Sequence, residues 1–209
     1  MKSILLINPP LTKPCEPPAG IAKLAGFLRS NGIDCRVYDA SIDGILGLLD
    51  QPQQPDDTWT KRAHKHLQTH LDSIRSLPLY NHRDRYKRAV MDINRLLSMK
   101  GRSHDANLSL GNYTSPHLSP VRSADLLQAA ETYSDNPFFS LYSRSLSKMI
   151  VEWEPDFFGI SINFMSQALS AFYMMGFIKK RFPGKNIVCG GGLVTSWLEI
   201  PGWQNPLRC

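Results

Sequence analysis

The residues whose types could do chemistry stand at the ends of apolar segments. Gly190-Gly191-Gly192 follows Ile187-Val188-Cys189, and Ser161-Ile162-Asn163 follows Phe157-Phe158-Gly159-Ile160. Glycine carries no Cβ, so such a run lets a backbone come close to a bulky ligand; it equally makes a strand-to-helix turn that needs positive φ. Near the start, Ile4-Leu5-Leu6-Ile7 runs into Asn8-Pro9-Pro10, and Pro17-Pro18-Ala19-Gly20 opens an amphipathic stretch. Other chemistries find less support. His66 and His70 have the i, i+4 spacing of shared metal ligands on a helix, but Lys61, Arg62 and Lys65 crowd that helix and Asp72 is the nearby carboxylate, so the pair reads as a solvated face. Neither a Gly-x-Ser-x-Gly nucleophile turn nor a phosphate loop ending in Gly-Lys-Ser or Gly-Lys-Thr occurs.

Parallel strands are the elements that must position these residues. Segments 4–7 and 157–162 are continuously apolar, as strands covered on both faces are, whereas Cys35-Arg36-Val37-Tyr38-Asp39 alternates like an edge. Ile21, Leu24, Ala25 and Leu28 put one apolar helix face against the sheet, and Gly32 ends that helix. After Asn163, a second helix carries Leu169, Phe172, Tyr173, Gly176 and Phe177 on one face. It finishes in Lys179-Lys180-Arg181, which complements the helix dipole, before Pro183-Gly184. The pattern predicts an α/β fold with strands 4–7, 35–39, 157–162 and 187–190 in one parallel sheet of order 2-1-3-4. A sheet of this kind takes its ligand outside the carboxyl ends of the strands.

Taken as an ordered set, Asn8-Pro9-Pro10, Pro18-Ala19-Gly20 with Leu24-Ala25 behind it, Asn31-Gly32 and Asp39 resemble the cobalamin-binding domain that precedes the catalytic barrel in a class of radical S-adenosylmethionine enzymes. The second half is similar to it too: Ser161-Ile162-Asn163 stands where that fold has a Ser-x-Leu element, and 26 residues, 164 to 189, separate it from Gly190-Gly191. The resemblance covers residues 1–45 and 154–200. It implies a Rossmann-like (flavodoxin-like) fold whose cofactor contacts are Asn8, Pro9, Pro10, Gly20, Ser161, Asn163, Gly190, Gly191, Gly192 and Thr195. In that reading Ser161 and the glycine turn flank the nucleotide tail, the hydroxyl of Ser161 or Thr195 is available for hydrogen bonding, and Gly191 is the glycine whose side chain would most disturb the tail.

Two departures matter. Leu193 stands where relatives often carry histidine. The lower-ligand histidine of better-known cobalamin proteins has no counterpart either, because the loop from Asn8 to Gly20 holds none and the first histidine is His64. The resemblance therefore implies a base-off cofactor with no protein histidine on cobalt. Cys15, in the same loop, reads as a structural cysteine, and no metal ligand is assigned. The Cys-x3-Cys-x2-Cys loop that holds an iron–sulfur cluster in the resembling class is absent, so the resemblance implies that the cluster, S-adenosylmethionine and catalysis belong to a missing C-terminal barrel, and the chain is expected to be a fragment lacking the fifth strand. A flavodoxin-like binding or regulatory domain for another nucleotide-bearing ligand is the alternative.

A chain of 209 residues, 42% hydrophobic and 20% charged, can bury one core plus an appended unit. Its apolar runs fall short of the ~18 residues of a membrane span, and Met1-Lys2-Ser3 begins no signal sequence, which predicts a cytoplasmic protein. Cysteines at 15, 35, 189 and 209 show no paired spacing and read as reduced thiols. Residues 59–104 hold eleven Lys and Arg against three Asp, more than the whole net charge of +6. Without a nucleic-acid motif this segment reads as the solvated side of helices. It belongs to an insert, 51–150, between two halves of the core, 1–50 and 151–209. After the polar junction 51–57, Thr58 is positioned to cap a helix from Trp59. Tyr86, Ala89, Val90, Ile93, Leu96 and Leu97 form one helical stripe; Phe139, Tyr142, Leu146, Met149, Ile150 and Trp153 form another. Residues 101–122, rich in Gly, Ser, Asn and Pro, read as a long, poorly ordered loop. The insert is expected to be helical, packed against the sheet and placed to lid its crevice.

Overall fold

The two continuously apolar segments do lie at the centre of the sheet. In the computed structural model, which describes residues 2–15, 17–52 and 54–200, the first half consists of β1 (Ser3–Asn8), α1 (Ala19–Ser30), β2 (Asp34–Asp39) and α2 (Ala40–Asp50). The insert follows with α3 (Thr58–Ile74), α4 (Leu77–Tyr80), α5 (Arg83–Arg102), β3 (Asn107–Leu108), β4 (Tyr113–Thr114), α6 (Ser123–Glu131), a 3-10 turn at Tyr133–Asp135, and α7 (Phe139–Trp153). The second half returns with β5 (Phe157–Ser161), α8 (Met165–Arg181), β6 (Asn186–Gly190) and α9 (Gly192–Leu198). The order β2-β1-β5-β6, all parallel, makes a Rossmann-like four-stranded α/β sheet. Residues 201–209, on which the expectation of a missing fifth strand rests, lie outside the described residues, as does Cys209.

Local chemistry sets the element ends. Gly32, at φ 74°, turns the chain out of α1 into β2, a left-handed conformation that glycine adopts without a Cβ clash. Asp39 caps α2 by accepting from the backbone N–H of Ser41 and Ile42 at 3.1 and 3.2 Å. The cap of α3 is Asp57 rather than Thr58: its carboxylate accepts from Trp59 and Thr60 at 2.8 and 3.0 Å. An ionised carboxylate is the stronger acceptor for those unpaired helix donors, so the helix starts one residue earlier than the hydroxyl suggests.

The faces of the sheet are covered unequally. Leu5, Ile7, Phe158 and Ile160 point into the large core shared with α2, α5, α7 and α8. On the other face, among the described residues, only α1 packs, through Ile21 and Ala25 against Leu6 and Cys35, with Ile4 and Leu28 at the margin. Helix α8 differs from its one-sided expectation, since residues 167–175 are buried all round. It lies between the sheet and the insert, and α6 crosses it so closely that a Cβ on Gly176 would fall on the Ala130 carbonyl.

The insert is mainly helical, and both periodic stripes supply core residues: Ala89, Ile93, Leu96 and Leu97 from one, Tyr142, Leu146 and Ile150 from the other. Segment 101–122 is not a featureless loop. It contains the end of α5 and the antiparallel β3–β4 hairpin, which buries Leu108 and Tyr113. Buried apolar side chains at alternate positions hold a short hairpin that its polar composition conceals. Among the described residues, no helix is long and apolar enough to cross a membrane.

Candidate functional site

The carboxyl ends of β1 and β5 are joined through one buried amide. Gln167, in the first turn of α8, is fully buried. Its Nε2 donates to Asn8 Oδ1 and to the Pro9 carbonyl, each at 2.9 Å, while its Oε1 accepts from the backbone N–H of Asn163 and Phe164 at 2.9 and 3.2 Å. Asn8 in turn donates Nδ2 to Asp39 at 3.0 Å, which carries the connection to the start of α2. The loop after β1 is tied down further along: Ser166 Oγ donates to the Leu11 carbonyl at 2.8 Å, and the Thr12 N–H donates to Ser41 Oγ at 2.9 Å. Buried polar groups of this kind are tolerated only when bonded, so the network fixes the loop geometry at the sheet edge.

Past this edge, on the face that α1 only partly covers, a groove of about 280 Å3 opens. The pairings Leu6 with Gly159 with Val188, and Ser161 with Gly190, place these side chains on the same open face. Leu6, Gly159 and Val188 form the floor, Ile21 and Leu24 one wall, and Ser161, Asn163 and Gly190 the mouth. Val188 is 60% exposed and Leu24, expected on the buried stripe of α1, is 46% exposed. Leu24 overhangs sheet with no helix above β6 to meet it among the described residues. A Cβ on Gly159 would come 2.5 Å from Leu6 Cδ2, so this glycine lets Leu6 lie flat across the floor.

The mouth is polar. Asn163 Nδ2 donates to Ser161 Oγ at 3.0 Å, and Asn163 Oδ1 accepts from the Gly192 N–H at the same distance. The Ser161 hydroxyl thus accepts one bond, and its own hydrogen is uncommitted among the described residues. Thr195 donates its hydroxyl back to the Gly191 carbonyl at 3.2 Å. Among the described residues, no Asp, Glu, His, Lys or Arg lines the groove. With apolar walls, a few hydrogen-bonding groups and no acid–base pair, the arrangement can hold a flat apolar group with a polar attachment.

Of the residues singled out in the sequence, Gly20, Ser161, Asn163, Gly190 and Gly191 line the groove. Asn8, Pro9 and Pro10 are buried behind it, where the first two serve the Gln167 network. The three glycines of the turn separate by role. Gly191 sits at φ 108°, and a Cβ there would come 2.5 Å from the Ile162 carbonyl oxygen. Its freedom serves the protein's own chain. Among the described residues, no heavy atom lies within 4 Å of where a Cβ on Gly190 would stand, and only Asn163 Oδ1, at 3.9 Å, lies near that of Gly192, so these two are uncrowded. Sequence reasoning missed Gln167, although a Gln three residues into a helix is a capping signal. It also missed Gly159, whose signal was a glycine inside an otherwise apolar strand.

Elsewhere, two readings change. His70 is not on a solvated face, because its Nε2 lies 2.9 Å from Asp92 Oδ2 on α5, and the His66 ring packs beside it at 6.1 Å. Asp92 is 22 positions away in sequence, which hid it. Cys15 is exposed rather than structural. None of the insert's described residues lines the groove. Among the described residues no cluster of three or more His, Cys, Asp or Glu is arranged to hold a metal ion. No family model, curated protein or solved structure matches the chain.

Proposed function

We propose that the groove receives the nucleotide tail of a base-off cobalamin, and that the chain is the cobalamin-binding module of a radical S-adenosylmethionine enzyme. The observation that carries this reading is the groove itself: an apolar floor of Leu6, Gly159 and Val188 leads from the strand ends into the sheet face, with Ser161 and the open Gly190 at its mouth. A flat base with a ribose-phosphate linker needs that combination of apolar slot and polar entrance. Ser161 would donate to the linker, and Gly190 and Gly192 would let it lie against the backbone. The residues present also suit a cofactor without a protein ligand below cobalt, since all six histidines belong to the insert and none lines the crevice. Bound cobalamin supplies the cobalt centre on which methyl transfer or carbon-skeleton chemistry depends in the resembling class. The iron–sulfur cluster and S-adenosylmethionine would reside in a separate catalytic barrel, the partner of this module.

Titration with hydroxocobalamin, followed by visible absorption, tests the reading. The protein is expected to bind with a base-off spectrum that survives replacement of His64, His66 or His70. Gly190→Val places a side chain where no described residue stands, so it should weaken binding about tenfold or more, about 1.4 kcal/mol per decade, with an unchanged melting temperature. Equal affinity of parent and variant would remove the site. A folded protein that ignores cobalamin but binds flavin mononucleotide would move the assignment to the flavodoxin-like alternative.

A further inference from the structure

A trough of about 940 Å3 runs along the insert between α3 and α5. It shares no lining residue with the groove at the sheet edge. On α5 its lining recurs every three or four residues, at Asp84, Lys87, Met91, Arg95, Ser98 and Arg102, so one face of that helix forms a wall about 27 Å long. Helix α3 contributes Trp59 and Arg62. The indole of Trp59 is 63% exposed although it lines the trough, a large flat ring left in water.

Of the eleven Lys and Arg between residues 59 and 104, five line this trough: Arg62 from α3, and Lys87, Arg88, Arg95 and Arg102 from α5. All five are exposed. Arg62, Lys87, Arg88 and Arg102 form no ion pair among the described residues. Arg95 lies 3.9 Å from Asp57, an exposed pair of the kind that contributes little. The trough also has three carboxylates, each with a local role. Asp57 accepts from the N–H groups of Trp59 and Thr60 as the cap of α3, Asp92 lies 2.9 Å from His70 Nε2, and Asp84 complements the dipole in the first turn of α5. Four cations thus share one concave surface with no carboxylate of their own, and such a row attracts a polyanion. Phosphates along the row and a base on the Trp59 face satisfy both features together. A duplex covers its base faces with neighbouring pairs, and an acidic peptide leaves the ring without a flat partner.

We propose that the trough between α3 and α5 binds single-stranded nucleic acid, its phosphates along Arg62, Lys87, Arg88 and Arg102 and one base stacked on Trp59. The inference does not depend on what the groove binds. Fluorescence anisotropy with labelled dT20 and rU20 tests it, and a preference between the two assigns the sugar. Binding is expected at 50 mM salt and should weaken about 50-fold by 200 mM, the response of about four neutralised phosphates at about 0.7 counterions each. Arg88→Ala should reduce that fall to about 20-fold, and Arg62→Ala likewise. Trp59→Ala should weaken binding about fivefold or more and remove the quenching of tryptophan fluorescence that dT20 causes in the parent, with the circular dichroism retained. A folded parent that ignores both oligonucleotides at 50 mM salt would overturn the site, as would a salt response that neither arginine variant changes. Poly-L-glutamate that competes as well as unlabelled dT20, or a Trp59→Ala protein that binds like its parent, would transfer the trough to an acidic peptide. A 20-base-pair duplex bound as tightly as dT20 would overturn the single-strand assignment. If the variants misfold, the parent's salt response, quenching and competition series decide.

Discussion

Gly190 and Gly191 are adjacent and identical, yet substitution by alanine should move stability in opposite directions. At Gly191 two costs combine. The backbone, at φ 108° and ψ 169°, lies in a region that is essentially confined to glycine, which costs another residue about 1–3 kcal/mol. The new methyl would also stand 2.5 Å from the Ile162 carbonyl oxygen and 2.8 Å from the Ile162 carbonyl carbon and nitrogen. Those atoms cannot retreat easily, because the Ile162 N–H donates to the Gly190 carbonyl at 2.7 Å and its carbonyl accepts from the Leu193 N–H at 3.1 Å. Overpacking against fixed backbone adds about 1–3 kcal/mol. Gly191→Ala should therefore lose about 2–6 kcal/mol, a large part of the ~5–15 kcal/mol that holds a typical domain together. At Gly190 the methyl meets no heavy atom within 4 Å, and the residue is already in a strand. Gly190→Ala should gain about 0.5 kcal/mol by reducing the freedom of the unfolded chain. Urea unfolding of the three proteins, read by far-ultraviolet circular dichroism and tryptophan fluorescence, measures both differences. A Gly191→Ala protein within about 0.5 kcal/mol of its parent would refute the division of roles, as would a Gly190→Ala protein destabilised by more than about 1 kcal/mol.

The Gln167 network should be expensive to break. Gln167→Leu leaves the buried Asn8 side chain and Pro9 carbonyl without their donor, at about 1–3 kcal/mol each, so the melting temperature should fall by about 10 °C; a fall below about 3 °C would mean the network is replaceable. A pH effect is expected at the opposite end of the sheet, where Asp156 accepts from the Ser3 N–H and hydroxyl at 2.8 and 3.0 Å, and these bonds hold its carboxyl below the ordinary carboxylate value. The folded value is the depressed one, so this contribution is fully present above the unfolded value of about pH 4 and is lost as pH falls through the folded value. The urea midpoint should decline less steeply below about pH 4 in Asp156→Asn than in the parent; parallel declines would exclude Asp156 as a source of acid sensitivity.

The strands, their parallel pairing and their order were legible because each rests on local pattern. Residues 4–7 and 157–160 are apolar without interruption and became central strands; the segment from Cys35 to Asp39 carries Arg36 in its middle and became an edge. Gly32 and the basic end of α8 marked helix ends for reasons contained within a few residues. Ser161 and Gly190 were likewise found by type and spacing, and register then paired them.

What the sequence left open were facts about the other side of each surface. Periodicity assigns Leu24 and Val188 to a face but is silent on whether another element covers that face, so the groove they border appears only in the folded chain. The same limit hid Asp92 from His70 and the close approach of Gly191 to the Ile162 backbone. Sequence alone determined which residues share an element and a side of it, since backbone geometry repeats every two or 3.6 residues. Tertiary structure alone decided which of those sides stay uncovered among the described residues and which glycine stands against its own chain, because long-range packing brings together atoms that no local repeat relates.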